Sequence, residues 1–276
     1  MKTPIENMEK AHFMNDNDTS SKGTLNRRAF LRMSVFTITA LGMSVLHLAP
    51  KALAGEPTGS GPKPYDREKY WWGYVVDTTK CLGCGSCVRA CKAENNVADE
   101  YFRTWVERYE ISENNSVRVD SPKGAFDAFA KDRTEEDKVI KGFFVPKLCN
   151  HCRTSCCTQV CPVGATFTSP DGVVLVDRKH CIGCGYCVQA CPYGSRFVDH
   201  THGYADKCTL CYHRITKGLE TACVQACPVE ARIAGNLLDP KSRIRQILKE
   251  GRYKLIKAEL GTNPKCYYLG LDQEVS

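Results

Sequence analysis

No cysteine precedes position 81 in this 276-residue chain, and only Cys266 follows Cys227. The chain has eighteen cysteines and the other seventeen lie between those limits, so whatever folds there is organised around sulfur. Missing too are a nucleophilic triad, a phosphate loop and a dinucleotide fingerprint, which leaves no constellation for a catalytic site. No Arg/Lys-rich run with interleaved aromatics accompanies the formal charge of +7, which argues against nucleic acid as a partner. Composition is otherwise ordinary for a globular protein, at 42% hydrophobic and 25% charged.

The N-terminus reads as an address. Arg27-Arg28 opens Asn26-Arg27-Arg28-Ala29-Phe30-Leu31-Arg32-Met33, which resembles the twin-arginine export signal. Met33 to Ala49 is uncharged apart from His47 and moderately apolar. Pro50 breaks it, and Ala52-Leu53-Ala54 supplies a small-x-small cleavage pattern before Gly55. Cleavage after Ala54 and retention as a membrane anchor both remain open. No other stretch is long and apolar enough to span a bilayer.

The cysteines form four groups. The first, Cys81-Leu-Gly-Cys84-Gly-Ser-Cys87-Val-Arg-Ala-Cys91, has the spacing C-x₂-C-x₂-C-x₃-C, and the third, Cys181, Cys184, Cys187, Cys191-Pro192, repeats it one hundred residues on. The second group is Cys149, Cys152, Cys157, Cys161-Pro162, and the fourth is Cys208, Cys211, Cys223, Cys227-Pro228. From Cys157 and from Cys223 these two agree at six of nine successive places. The order A, B, A′, B′ is an internal duplication, each half resembling a two-cluster ferredoxin.

A cubane has four irons, each needing a thiolate, and C-x₂-C-x₂-C lets one tight loop supply three. Gly83, Gly85, Gly183 and Gly185 allow positive φ and close backbone approach, so that amides can point at sulfur. The fourth cysteine, on the following helix, reaches the other cluster of the pair. Lys92 stands where Pro follows Cys161, Cys191 and Cys227, a departure that alters backbone shape and removes no ligand. Triplets packed into seven residues are a poor way to staple distant loops by disulfides, and Cys₄ zinc sites use two pairs rather than triplets. A [4Fe–4S] core with four thiolates carries about −2, so four of them would more than cancel the basic charge.

The four groups, with Lys207-Cys208-Thr-Leu-Cys211-Tyr-His-Arg214, resemble the iron–sulfur subunits of the complex iron–sulfur molybdoenzymes and relatives, over about residues 70–240. These include the electron-transfer subunits of dimethyl sulfoxide, polysulfide and tetrathionate reductases and the iron–sulfur protein of formate-dependent nitrite reduction. The resemblance implies an α+β fold of two bacterial-ferredoxin-like dicluster modules, one inserted in the other. It implies four [4Fe–4S] clusters with ligands exchanged between groups. One cluster takes Cys81, Cys84, Cys87 and Cys227, and its neighbour takes Cys208, Cys211, Cys223 and Cys91. In the second module Cys149, Cys152 and Cys157 join Cys191, while Cys181, Cys184 and Cys187 join Cys161. Cys156 is a rival to Cys157 for its place, and Cys266 reads as a bystander.

The expected organisation is a signal segment over 1–54, a linker over 55–69, module one over 70–91 and 200–240, an insertion over 92–148, module two over 149–199, and a C-terminal extension over 241–276. In the insertion, Phe102 to Ile111 suits a strand with Val117–Val119 as its partner, and 124–140 suits a surface helix. Ile244, Ile247 and Leu248 predict a short amphipathic helix packed on the body. His151 and His180 flank cluster cysteines as candidates for tuning or proton transfer, with plain hydrogen bonding the simpler role. Trp71 and Trp72 read as core. The function expected is a non-catalytic, exported relay in an anaerobic respiratory oxidoreductase complex. It would join a membrane quinone-interacting subunit to a molybdopterin-containing or multihaem cytochrome subunit, in the periplasm. A freely diffusing polyferredoxin and an enzyme with an open iron site are the rivals, and a full cysteine complement argues against the latter.

Overall fold

The computed structural model describes residues 64–120, 124–125, 129 and 138–275. The signal segment and most of the linker lie outside the described residues. Tyr65–Ser276 is one compact unit. At its start Tyr65 donates to Asp171 and receives the Trp72 indole N–H, both at 2.7 Å, so the end of the expected linker is tied to the body.

In chain order the elements are β1 (Trp72–Asp77), α1 (Ser86–Asn95), β2 (Thr104–Ser112), β3 (Val117–Asp120), β4 (Val139–Leu148), α2 (Cys156–Gln159), β5 (Thr166–Thr168) and β6 (Val174–Val176). They continue as α3 (Tyr186–Gln189), β7 (Arg196–Asp199), β8 (Tyr204–Lys207), α4 (Tyr212–Ile215), α5 (Ala222–Gln225), β9 (Arg232–Asn236), α6 (Arg243–Lys249), β10 (Tyr253–Lys254) and β11 (Cys266–Leu269). The mixture of short helices and small sheets is α+β.

Strand pairing carries the duplication into three dimensions. β6 runs into the third cysteine group and pairs antiparallel with β5, Thr166 facing Val176. β1 runs into the first group and pairs with β9, Arg232 facing Val76. Thr166 and Arg232 each lie five residues beyond the last cysteine of their group, and Val76 and Val176 are one hundred residues apart, so the register is the same.

The other two pairings also correspond. β8 ends at Lys207, just before Cys208, and pairs with β7. β4 ends at Leu148, just before Cys149, and pairs with β2, Thr104 facing Leu148. The expected insertion is thus an enlarged version of the β7–β8 hairpin, with β3 added beyond β2. The expected β2–β3 pairing is present. The expected helix over 124–140 is not what forms at its end: Val139 and Ile140 open β4, because β2 offers them a second free edge. Residues 121–123, 126–128 and 130–137 of that span lie outside the described residues.

The predicted amphipathic helix is α6, with Ser242 as its side-chain N-cap. Ile244 is completely buried against Val75 and Ile233, with Ile247 and Leu248 beside it. Burial of one such side chain contributes roughly 1.5–3 kcal/mol. The C-terminal segment then adds β11 parallel to β1 in a sheet ordered β10-β11-β1-β9. Among the described residues no helix is long and apolar enough to cross a membrane.

Candidate iron–sulfur sites

Each cysteine group begins with the same backbone device. The residue two after the first cysteine has positive φ in all four: Gly83 at 69°, His151 at 43°, Gly183 at 68° and Leu210 at 56°. That turn aims the amide of the same residue back at sulfur, from His151 to Cys149 Sγ (3.5 Å) and from Leu210 to Cys208 Sγ (3.3 Å). Glycine is needed in the tighter two for space as well. A Cβ on Gly83 would stand 2.5 Å from the Phe144 ring, and one on Gly183 2.5 Å from the Gly203 carbonyl oxygen.

The last cysteine of each group shows where the groups differ. After Cys161, Cys191 and Cys227 the proline stops a four-residue helix, and the chain turns so that later amides meet sulfur. Ala231 donates to Cys227 Sγ at 3.3 Å and Thr166 to Cys161 Sγ at 3.4 Å. With Lys92 in place of proline, α1 runs ten residues straight through Cys91. Its backbone amides stay in the helix, and the Asn95 side-chain amide approaches Cys91 Sγ and Cys211 Sγ instead, each at 3.7 Å.

The sulfurs of the first module line two voids. Cys81, Cys84, Cys87 and Cys227 line one. Cys91, Cys208, Cys211 and Cys223 line the other. In the second module Cys152 and Cys191 are each within electrostatic reach of both Cys149 and Cys157. Cys181 and Cys187 pack with Cys157 around Val174 and Ala205. Cys161 is held by the amides of Thr166, Val163 and Ala165, and Cys184 is exposed. Neighbouring sets lie within electrostatic reach of one another at three places: Cys87 with Cys223, Cys208 with Cys149, and Cys187 with Cys157, the last two residues sharing one packed cluster.

All eighteen cysteines are free of disulfides. Burial pushes the Cys91 and Cys152 thiols up to about 12 and Cys81 up to about 11, so ionised sulfur there needs nearby positive charge. At Cys161 burial acts the same way, but backbone amides outweigh it and hold the thiol below its ordinary value. Buried side-chain nitrogens on the segments that carry these cysteines fall short of a full set of acceptors: Arg232 Nη1 and Nη2, which have only the Tyr74 hydroxyl beside them, Arg196 Nε and His151 Nε2. Nitrogens this deeply buried ordinarily meet an acceptor. Thiolates bound to iron, with bridging sulfides, would provide both the positive charge and the acceptors, so the residues fit [4Fe–4S] groups.

A 4Fe-4S dicluster domain model matches residues 80–165, and another matches 140–237. A tetrathionate reductase subunit of Salmonella typhimurium is 39% identical over 249 residues, covering 90% of this chain and 89% of that protein. The corresponding tetrathionate reductase subunit of Archaeoglobus fulgidus is 44% identical, covering 77% and 89%. A polysulfide reductase subunit of Wolinella succinogenes is 34% identical, covering 71% and 92%. The protein belongs to the iron–sulfur electron-transfer subunits of reductase complexes.

Within this iron–sulfur subunit the secondary candidates resolve individually. Cys156 Sγ donates to the Ala190 carbonyl at 3.0 Å, whereas Cys157 Sγ receives Arg196 Nη1 at 2.9 Å and lies 3.1 Å from Ser155 Oγ. Cys266 is wholly buried in β11 opposite Tyr74. His151 Nδ1 accepts from the Val174 amide at 3.1 Å, which places the ring proton of its neutral form on Nε2. His180 is exposed and its Nδ1 lies 2.7 Å from Asp177 Oδ2. Trp71 lies under the Lys265 ammonium, 4.3 Å from the ring centroid.

Several residues of the iron–sulfur subunit were missed from sequence. They are Asn95, Arg196, Arg232 and Tyr74, whose hydroxyl is 3.1 Å from Cys223 Sγ. A signal existed for the arginines: Cys191-Pro-Tyr-Gly-Ser-Arg196 and Cys227-Pro-Val-Glu-Ala-Arg232 have the same spacing.

Proposed function

We propose that this chain is a non-catalytic relay holding four [4Fe–4S] clusters in two nested ferredoxin-like modules. The sixteen residues that would hold them are the four sets named from sequence: Cys81, Cys84, Cys87 and Cys227; Cys91, Cys208, Cys211 and Cys223; Cys149, Cys152, Cys157 and Cys191; Cys161, Cys181, Cys184 and Cys187. The observation that carries this reading is that two of the four sulfur sets each line one pocket and that successive sets lie within electrostatic reach. When bound, such groups supply one-electron carriers whose potentials the surrounding protein sets. The chain's own residues hold the sulfurs in a row, bury the middle of it and direct amide and guanidinium N–H groups at it.

The row joins a membrane quinone-interacting subunit to a catalytic subunit. Relatives named for tetrathionate reductase reach 39% and 44% identity, against 34% for the polysulfide reductase relative, which favours a tetrathionate-reductase type of complex with a molybdopterin-containing catalytic partner. The twin-arginine pattern at Arg27-Arg28 supports export already folded, to the periplasm.

Anaerobic purification of the complex, with iron and sulfide analysis, tests the assignment. About sixteen irons per chain are expected, and a value near eight would remove two of the four sets. Co-purification of a multispanning protein and a large cofactor-bearing one is expected. Recovery of the chain alone, fully loaded, would favour the freely diffusing polyferredoxin.

A further inference from the structure

A thiolate-ligated cluster carries about two net negative charges, and four in a row repel one another in an interior that screens poorly. The three junctions of the row each contain a buried cation. At the first junction stands Arg232, only 1% exposed, lining the same pocket as Cys87 and within electrostatic reach of Cys223 of the adjoining set. It also interacts with the Tyr74 hydroxyl, which lies 3.1 Å from Cys223 Sγ.

At the third junction stands Arg196, 5% exposed. Its Nη1 donates to Cys157 Sγ and its Nη2 to Thr166 Oγ1, both at 2.9 Å, and Cys187 of the adjoining set is within electrostatic reach. Arg196 and Arg232 share a local setting, each the first residue of a strand and five beyond the last cysteine of its group.

The middle junction has Lys207, which is completely buried. Its ammonium donates to the Cys208 carbonyl at 2.8 Å and to the Val174 carbonyl. The Val174 amide in turn binds His151, two residues from Cys149. Lys207 therefore bridges a segment of the second set to a segment of the third.

Resting on the four-cluster reading, we propose that Arg232, Lys207 and Arg196 are fixed cations interleaved with the clusters, which raise the reduction potentials of the clusters on either side and weaken repulsion between neighbours. Each added electron makes a cluster more negative, so a cation held beside it favours the reduced form. A guanidinium keeps its charge at any working pH. Repulsion along the row would otherwise spread the potentials of adjacent carriers. A cation at each junction keeps them closer together, which suits electrons moving in single steps.

The test is potentiometric titration with electron paramagnetic resonance on the anaerobic holoprotein, comparing wild type with Arg232→Gln, Arg232→Lys, Arg196→Gln and Arg196→Lys at full iron content. Each glutamine variant should shift one pair of clusters toward the oxidised form by at least tenfold, 59 mV for a one-electron couple. The two glutamine variants should affect different pairs, and the lysine variants should stay within about threefold of wild type. Glutamine shifts under threefold, or lysine shifts matching glutamine, would overturn the proposal while leaving four clusters in place. If a glutamine variant fails to load iron, a lysine variant loaded at wild-type potentials supports the need for charge. A lysine variant that also fails to load overturns it. Wild-type protein without cubanes would overturn the four-cluster reading and this inference together.

Discussion

The first and third cysteine groups, one hundred residues apart, have nearly the same loops: φ is 69° at Gly83 and 68° at Gly183, 72° at Gly85 and 77° at Gly185. Beyond their fourth cysteines they part. After Cys191 the chain turns at once and makes the β7–β8 hairpin, returning to the fourth group at Cys208. After Cys91 it continues as α1 for another turn, then makes the long β2–β4 pairing before returning to the second group at Cys149. Cluster-facing geometry was retained while the segment between groups changed length. Where proline was absent, a side chain took over the task of backbone amides: Asn95 approaches Cys91 and Cys211, and its Oδ1 receives Arg103 Nη1 at 2.9 Å. Arg103 in turn is paired with Asp206 in a buried bridge of 2.7 Å.

That comparison can be broken most severely at the sulfurs. Cys223→Ser in the first module should remove one cluster, about four irons per chain, and stop transfer along the row. Cys266→Ser should leave iron unchanged, and equal losses from both would remove the distinction between ligand and bystander. Exchanging the residue after the last cysteine comes next. Lys92→Pro should cost about 3 kcal/mol, because the ring clashes inside α1 and removes a helical hydrogen bond. It also loses the Lys92 Nζ bonds to the carbonyls of Ala98 (3.0 Å) and Asp99 (2.8 Å). Pro192→Lys, at the equivalent place, should cost only about 0.4–1 kcal/mol through the unfolded chain. Chemical denaturation of the two variants would show whether the sites are as unlike as their helices.

Asn95→Ala should destabilise by about 1–3 kcal/mol, since the Arg103 nitrogen it served is left buried without that acceptor. It should also lower the potential of the cluster beside Cys91, measurable in the same denaturation and titration experiments. The smallest effect belongs to Glu94, which ties α1 to α4 through His213 Nε2 (2.6 Å) and Arg214 Nη1 (2.7 Å). His213, and then Arg214, hold its carboxyl below the ordinary range. The stabilisation is therefore present above the unfolded value of about 4.3 and is lost as pH falls through the lower folded value. With Glu94 a quarter exposed, Glu94→Gln should cost under about 1 kcal/mol at neutral pH and flatten the stability profile below about pH 4. An unchanged acid profile would assign that slope to other carboxylates.

The loops were readable in advance because their requirements are local: glycine where φ is positive, cysteine at fixed intervals, proline where a helix must stop. His151 and Leu210 take the same positive φ without being glycine, and nothing in their identity announces it. The α6 helix was readable from the spacing of Ile244, Ile247 and Leu248. β4 was not, because its residues become a strand by pairing with β2, a partner distant in sequence. β11 lies beside β1 for the same reason. Arg196 and Arg232 were overlooked, and Lys207 was read only as part of the run around Cys208, because charged residues are usually read as surface. Their burial makes sense only once the sulfurs around them are assembled in space.

Cys81 and Cys227 line the same void. During synthesis the chain emerges N-terminus first, so the pocket around Cys81 stays incomplete until Cys227 has also been made. The groups from 149 to 191 can close much sooner. The thiols made first therefore wait longest for the partners that enclose them, across the whole span from Cys81 to Cys227.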